Sequence, residues 1–243
     1  MIVLIITAVR IKSMDSHRIS GRILAENIAG PGMMRLVEQS MQAQAQKTSV
    51  TEIAVKERKH PQAALTFDDG PDIRYTPLLL DGLKERNVRV SFFLLGEKVE
   101  QYPELVERMQ KEGHLVGNHT YHHVQLNKLN ETKAREEILK TNNLIYETTG
   151  VYPLYLRPPF GAWKKNLELC VEMLPVFWTI DTLDWKVKNT EKIVRTVKEQ
   201  IEDGAIILMH DEYDTSVEAA LQVVDELKNQ GYELVTVDQL ILP

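Results

Sequence analysis

From Pro61 onward, short runs rich in β-branched and aromatic residues alternate with amphipathic stretches, and this alternation constrains the fold more than any other feature. Seven runs predict strands: Ala63–Phe67, Val88–Leu95, His114–Gly117, Leu154–Arg157, Val176–Ile180, Ala205–Met209 and Glu233–Val237. Six stretches between them predict helices: Pro77–Arg86, Val99–Glu112, Glu131–Thr149, Trp163–Val171, Thr190–Glu202 and Ser216–Asn229. Strands that alternate with helices predict an α/β fold with a parallel sheet, either open or closed.

Composition and charge restrict the class of protein further. The chain has 243 residues, 43% of them hydrophobic, which is enough for one sizeable core. Its formal net charge of -6 argues against nucleic acid as the main partner, because a phosphate backbone requires a basic surface. The single cysteine, Cys170, excludes an intrachain disulfide, and its helix-like surroundings favour packing over a nucleophilic role.

The first 60 residues differ from the rest, and we expect an arm or linker at residues 1–60 and one main domain at residues 61–243. Within the arm, Arg35–Gln44 is compatible with a helix. The apolar run Met1–Val9 is shorter than the roughly 20 residues of a membrane span. It also lacks the flanks of a signal peptide. Two interpretations stay open for it: the remainder of a truncated membrane anchor, and a short strand or tail.

Polar clusters follow five of the predicted strands at their carboxyl ends. They are DDG after the first strand, NHTYHH after the third, RPPFG at the fourth, DTLDW after the fifth and a histidine after the sixth. The carboxyl ends of parallel strands meet at one rim, where α/β barrels build their active sites. The sequence therefore predicts one functional site, assembled from distant parts of the chain.

Asp68 and Asp69 are adjacent carboxylates at the end of the first predicted strand. Neighbouring residues of a regular strand point to opposite sides, so both enter one pocket only if the chain turns at Gly70 and Pro71. Two close carboxylates repel each other unless a cation neutralises them or one is protonated. Taken alone, the pair is more typical of a solvated turn, and a cation site is the alternative.

His119 and His123 have the i, i+4 spacing that predicts two imidazoles on one face of a helical turn, with His122 off that face. Histidine pairs of this kind clamp one metal ion. A carboxylate from another strand end completes three protein ligands and leaves open positions for water. Asp69, His119 and His123 are therefore the predicted metal ligands.

A hydrolytic site also requires a base and an acid, because a bound metal only lowers the pKa of water and polarises a carbonyl. Asp68, beside the ligand Asp69, is the predicted base, and His210 is the candidate acid. Arg157 and Asp184 are expected to orient these two groups, with ordinary ion pairs as the alternative.

Five motifs in one order resemble the polysaccharide deacetylases of the NodB-homology group, carbohydrate esterase family 4. They are TFDDGP at Thr66–Pro71, HTYHH at His119–His123, RPPFG at Arg157–Gly161, DTLDW at Asp181–Trp185 and LMH at Leu208–His210. The resemblance covers about Ala63–Leu242, and the five motifs together are highly specific. It departs from the usual pattern at Phe160, where Tyr is commoner, and at Val124, where Pro is frequent.

The resemblance implies that residues 61–243 form a distorted (β/α)7-type barrel with one divalent ion on Asp69, His119 and His123. Zinc is the expected ion, with cobalt, nickel or manganese as alternatives. The same resemblance implies that Asp68 is the general base with Arg157 as its partner, and that His210 is the general acid with Asp184 as its partner.

Three further residues are implied to contact the substrate. The backbone N–H of Phe160 would help to hold the oxyanion, while Trp185 and Leu208 would line the acetyl pocket. Trp185 and Trp163 are also candidates for stacking on a sugar ring, with packing as the alternative, and packing is favoured for Trp178.

The implied activity is removal of N-acetyl groups from the GlcNAc units of an amino-sugar polymer, with peptidoglycan favoured over chitin-type oligomers. Hydrolysis of O-acetyl esters on xylan is a further alternative. A non-enzymatic glycan-binding module is disfavoured because Asp68 and His210 are both present. The resemblance also implies a monomer at the bacterial cell surface or outside the cell, with anchoring through the N-terminus left open.

Overall fold

In the computed structural model, the described residues 60–163 and 173–241 form a parallel sheet with helices around it. The strands in this part of the chain are β1 Gln62–Asp68, β2 Ser91–Leu94, β3 Leu115–Asn118, β4 Tyr155–Leu156, β5 Leu174–Pro175, β6 Ile180–Asp181, β7 Ala205–His210 and β8 Glu233–Leu234. The α-helices are α1 Tyr75–Glu85, α2 Gly96–Gln101, α3 Pro103–Lys111, α4 Glu131–Thr149, α5 Asp184–Val187, α6 Thr190–Gln200, α7 Asp214–Asn229 and α8 Val237–Ile241. Short 3-10 helices lie at Leu126–Lys128 and Pro159–Gly161.

Several expectations fall outside the described residues. They are the arm before His60, with its candidate helix Arg35–Gln44, the predicted helix Trp163–Val171 beyond its first residue, and Cys170. Among residues 60–163 and 173–241, none of the helices combines the length and the apolar character that crossing a membrane requires.

The sheet has the strand order β5-β4-β3-β2-β1-β7-β6, with β8 paired to the first two residues of β1. Every neighbouring pair is parallel. From Ala63 to Asp68, β1 is buried without interruption, as expected for a central strand covered on both faces. The parallel α/β architecture predicted from the alternating runs is therefore confirmed.

One predicted strand, Val176–Ile180, is wrong as a single strand. It lies between β5 and β6, which are the two edges of the sheet. The backbone N–H of Val176 donates to the carbonyl of Leu156 at 2.8 Å on one edge, and that of Thr179 donates to Ile206 at 2.9 Å on the other. This segment therefore connects the two edges of a curled, half-barrel sheet.

The helix boundaries follow from a few local residues. The predicted helix Val99–Glu112 is divided into α2 and α3, because Pro103 lacks a backbone N–H and fits only the first turn of a helix. Helix α4 has the predicted bounds, Glu131–Thr149. The side chain of Asn130 accepts a backbone N–H of its first turn, and Gly150 ends it in the left-handed conformation with φ 73°.

The strand register brings the polar clusters to one rim, as predicted. The last residue of β1, Asp68, lies opposite His210, the last residue of β7. On the other side of β1, strands β3 and β4 end at Asn118 and Leu156, which lie opposite each other. The next residues, His119 and Arg157, therefore follow at adjacent strand ends. The fold therefore assembles the site from residues that are up to 142 positions apart along the chain.

Candidate active site

The turn after β1 lets two consecutive carboxylates face one site. Asp69 has φ 69°, in the left-handed region, so it does not continue the alternation of the strand. Oδ2 of Asp68 lies 3.7 Å from Nε2 of His119, and Oδ1 of Asp69 lies 3.3 Å from the same nitrogen. Both carboxylates therefore reach one imidazole, which a regular strand would not allow.

The loop of His119 and His123 corrects one expectation from the sequence. The segment is not a helical turn: it is irregular, and Thr120 and His123 have φ 67° and 55°. The two imidazoles nevertheless lie side by side, with ring centroids 5.1 Å apart. His122 points away, as predicted, and pairs with Glu137 at 2.8 Å. The i, i+4 spacing thus brings the rings together through a folded loop.

The site fits a divalent ion. One ligand atom each from Asp69, His119 and His123 lies within 4.8 Å of the other two. Oδ1 of Asp69 is buried and has no hydrogen-bond donor among the described residues, while Nε2 of His123 is 3.4 Å away. A buried carboxylate oxygen without a hydrogen-bond donor calls for a cation, and one carboxylate with two imidazoles is a ligand set that holds divalent metal ions in proteins.

The electrostatics of Asp69 and His123 agree with that fit. Burial by itself would raise the pKa of Asp69, but attraction to His119, His123 and His210 outweighs it and holds the pKa well below its usual range. Burial lowers the pKa of His123. Asp69 is therefore ionised and His123 is neutral near pH 7, which are the forms that bind metals.

Arg157 is the largest fully buried side chain in the described part of the chain, and it holds Asp68. Its Nη1 donates to Oδ1 of Asp68 at 2.8 Å and to Oγ1 of Thr66 at 2.6 Å. Thr66 in turn donates to the carbonyl of Ile207 on β7. Oδ1 of Asp68 is thus occupied by the guanidinium, while Oδ2 faces His119. Sequence reasoning did not single out Thr66.

His210 and Asp184 form the second pair of the site. Nδ1 of His210 lies 2.7 Å from Oδ1 of Asp184, and the backbone N–H of His210 donates to Oδ2 of the same carboxylate at 2.8 Å. Burial would lower the pKa of His210, but the bond to Asp184 outweighs it and raises the pKa to about 9. The imidazole is therefore protonated near pH 7, with Nε2 3.8 Å from Oδ2 of Asp69.

Phe160, Trp185 and Leu208 lie beside these groups in different ways. Phe160 has φ 59°, is 61% exposed, and packs its ring 4.5 Å from that of His123. Trp185 is half exposed on α5, next to Asp184. Leu208 is buried in β7, two residues before His210. Phe160 therefore contacts His123, a predicted metal ligand. Trp185 and Leu208 are near the site because they lie on the same elements as Asp184 and His210.

The remaining tryptophans pack within the fold. Trp163 packs against a buried cluster that contains Leu126 and Leu156. Trp178 is partly buried, and its indole lies 5.8 Å from the guanidinium of Arg157. The packing interpretation of Trp178 therefore agrees with its contacts, and the partly buried Trp163 also packs within the fold.

Backbone strain is concentrated at this rim. Seven non-glycine residues in the described part of the chain have positive φ, and five of them belong to the segments above: Asp69, Thr120, His123, Phe160 and Leu183. Each such conformation costs on the order of 1–3 kcal/mol and persists only where surrounding contacts impose it. Strain of this kind clusters at functional sites, which supports the location of the site independently of its side chains.

Asp211, immediately after His210, is a buried carboxylate that sequence reasoning missed. It accepts a hydrogen bond from Oγ1 of Thr76, which itself accepts the backbone N–H of Asp72 at 2.7 Å. A Cβ atom on Gly70 would lie 2.5 Å from Oδ1 of Asp211, so the turn after Asp69 rests directly on this carboxylate. An acidic residue following a strand-end histidine was the available signal. Burial raises the pKa of Asp211 to about 7.

We expect Asp211→Asn to flatten the dependence of stability on pH. The pKa of Asp211 rises from 3.8 to about 7 on folding. Its contribution to the free energy of unfolding is therefore fully present below pH 3.8 and is lost as the pH rises through about 7. At 1.36 kcal/mol per pKa unit, the wild-type free energy of unfolding should fall by about 2–3 kcal/mol more than that of the variant between pH 5 and 8. Urea unfolding of both metal-free proteins measures this, and parallel curves would contradict it.

Comparison with known proteins places this chain in one family. The family model described as polysaccharide deacetylase matches residues 55–177. The peptidoglycan-N-acetylglucosamine deacetylase PgdA of Listeria monocytogenes is 42% identical over 185 residues, which are 76% of this chain and 40% of that protein. A peptidoglycan-N-acetylglucosamine deacetylase of Bacillus cereus is 40% identical over 186 residues, which are 74% of this chain and 68% of that protein.

A solved structure extends the likeness to three dimensions. The peptidoglycan deacetylase PdaC of Bacillus subtilis superposes with a TM-score of 0.73 at 42% identity, covering 75% of this chain and 91% of that one. The chain therefore belongs to the polysaccharide deacetylase family. It spans less than half the length of the Listeria relative.

Proposed function

We propose that this protein is a metal-dependent hydrolase that removes N-acetyl groups from the GlcNAc residues of peptidoglycan. The observation that carries the proposal is the pairing of Asp68 with Arg157 and of His210 with Asp184, at neighbouring strand ends beside the Asp69 carboxylate. A base and an acid that both lie beside a metal site suit the hydrolysis of an amide. The names of the relatives supply the substrate class.

Asp69, His119 and His123 would hold the ion, with zinc proposed and cobalt, nickel or manganese as alternatives. When bound, such an ion polarises a carbonyl oxygen and lowers the pKa of water. Two imidazoles and one carboxylate leave coordination positions free of protein ligands, as catalytic sites require.

Asp68 acts as the general base in this proposal. Its Oδ1 is occupied by Arg157, so Oδ2, which faces the site, is the atom that takes the proton from the attacking water. The guanidinium remains charged, although burial lowers the pKa of Arg157, and it keeps the carboxylate oriented. The water oxygen then bonds to the acetyl carbon, and the carbonyl oxygen gains the negative charge.

His210 acts as the general acid. Its Nδ1 is engaged by Asp184, so the proton that it can donate is on Nε2, the nitrogen that faces Asp69. Because the pKa of His210 is raised to about 9, the imidazole carries this proton near pH 7. Transfer to the amide nitrogen lets the C–N bond break, giving acetate and the free amine of the sugar.

Phe160, Trp185 and Leu208 complete the proposal. The left-handed backbone at Phe160 turns the loop after β4 beside His123, where its N–H would stabilise the oxyanion. Leu208, buried beside the acid, and Trp185, exposed beside Asp184, would line the acetyl pocket. We propose residues 61–243 as the catalytic domain and the bacterial cell wall as its site of action, with the monomer as the active form.

Parallel assays on different polymers test this function. Peptidoglycan fragments, chitooligosaccharides and acetylated xylan are incubated with the protein, and mass spectrometry follows the loss of acetyl groups. Loss from the GlcNAc residues of peptidoglycan, abolished by a chelator and by His119→Ala, is the expected result. Loss only from chitooligosaccharides or only from xylan would reassign the substrate, and full activity of His119→Ala would overturn the metal site.

A further inference from the structure

A carboxylate on α4, outside the proposed ligands, holds the loop between the two histidines. Oε2 of Glu137 accepts the backbone N–H of Tyr121 at 3.0 Å and that of His122 at 2.9 Å. Its Oε1 lies 2.8 Å from Nδ1 of His122. All three contacts therefore fall on residues that separate His119 from His123, although Glu137 belongs to a different element of the fold.

Helix α4 is a rigid base for this contact. It begins at a side-chain cap and buries one face in the fold. The side chain of Asn118, at the end of β3, donates to the carbonyl of Ile138 at 2.9 Å and to Oδ1 of Asn142 at 2.7 Å, which ties the helix to the strand that leads into the loop. Glu137 is only 16% exposed. Its carboxylate is therefore held at a defined distance from the histidine loop.

The loop requires such support because its backbone is strained. Thr120 and His123 both adopt the left-handed region, which is uncommon for non-glycine residues and a clear outlier for the β-branched Thr120. The start of the loop is held from α2, where the backbone N–H of Gly96 donates to the carbonyl of Thr120 at 2.9 Å. The backbone N–H groups of the two residues after Thr120 are held by Glu137. Without that carboxylate, both N–H groups would lose their acceptor, and His123, whose side chain is 30% exposed, would lose one restraint on the loop that leads to it.

We propose that Glu137 is a positioning residue for the metal site: it sets the separation of His119 and His123, and so determines the affinity for a divalent ion more than the stability of the fold. The inference rests on the proposed metal ligands. The carboxylate acts through two backbone N–H groups and one imidazole, and it does not touch the ion or the substrate.

The affinity for zinc, measured by competition with a chromophoric chelator, tests this role without any assay of activity. Glu137→Ala should weaken zinc binding about 10–100-fold, the usual effect of removing a group that orients metal ligands. Glu137→Gln should bind zinc like the wild type, because its amide oxygen accepts both backbone N–H groups and its NH₂ group faces Nδ1 of His122. Glu136→Ala, an exposed neighbour on the same helix, is the matched control and should leave the affinity unchanged.

Thermal unfolding of the metal-free proteins separates positioning from structure. If Glu137→Ala lowers Tm but binds zinc as tightly as the wild type, the inference is overturned. If that variant does not fold, Glu137→Asp replaces it: this side chain keeps the charge but is one methylene shorter, and its zinc affinity should fall. Unchanged affinity in Glu137→Asp would then overturn the inference. The wild type and His119→Ala are measured first. If the wild type does not bind zinc, or if His119→Ala binds it equally well, the metal site itself is overturned, and this result does not depend on any Glu137 variant.

Discussion

Asp68→Asn should lower kcat for deacetylation about 10²–10⁴-fold, the range that a general base contributes. The asparagine oxygen can still accept the hydrogen bond of Arg157, which reaches Oδ1 of Asp68 at 2.8 Å. The proton acceptor of the site is lost, however, because an amide does not accept a proton near pH 7. Zinc should remain bound, since Asp69 and the two histidines are unchanged.

Steady-state kinetics, expressed per zinc-loaded protein, measures this effect. Asp225→Asn is a suitable control, because it removes an exposed carboxylate on α7 that pairs with Arg86 and belongs to none of the polar clusters of the rim. The control should keep the wild-type kcat. A zinc-loaded Asp68→Asn protein with wild-type kcat would show that another group takes the proton and would remove Asp68 from its proposed role.

Arg157→Met should destabilise the fold by about 3–5 kcal/mol, the usual cost of removing one partner of a buried ion pair. Arg157 is completely buried and pairs with Asp68, whose side chain is 5% exposed. Methionine fills much of the volume but leaves the carboxylate and Oγ1 of Thr66 without their buried donor. Most domains are stable by only about 5–15 kcal/mol, so this loss is a large part of the total.

Urea unfolding, with and without added zinc, gives the free energies. Arg195→Met is the matched control: Arg195 is 66% exposed and lies 4.0 Å from Glu199, so its loss should change stability by at most about 1 kcal/mol. Equal effects of the two substitutions would mean that the buried pair does not stabilise the fold. If zinc stabilises Arg157→Met by more than it stabilises the wild type, the metal and the guanidinium both neutralise the carboxylates of the rim.

The sequence predicted most of the fold because its signals are local. Helix α4 has the predicted bounds, since Asn130 and Gly150 mark its ends, and the parallel sheet follows from buried runs that alternate with helices. The predicted strand Val176–Ile180 was wrong, because a hydrophobic run that crosses between two sheet edges has the same composition as a strand. No local pattern distinguishes the two.

The site was predicted less completely than the fold. The spacing of His119 and His123 predicted two adjacent imidazoles, which the structure shows, but the helical turn expected between them is an irregular loop. Glu137 and Asp211 were missed because each acts on a segment distant in the sequence, and an isolated acidic residue is typical of any solvated surface.

The sequence by itself determined the alternation of strands and helices, the strand ends at which the polar residues stand and the motifs that they form, because periodicity and short spacings are properties of the chain alone. Only the tertiary structure decided that Asp69 turns into the left-handed region beside Asp68, that Arg157 is buried against it, and that His210 faces Asp69. The register of β1 against β7, and the packing of each loop on its neighbours, set these distances. They depend on contacts between residues more than 80 positions apart, which no local pattern in the sequence describes.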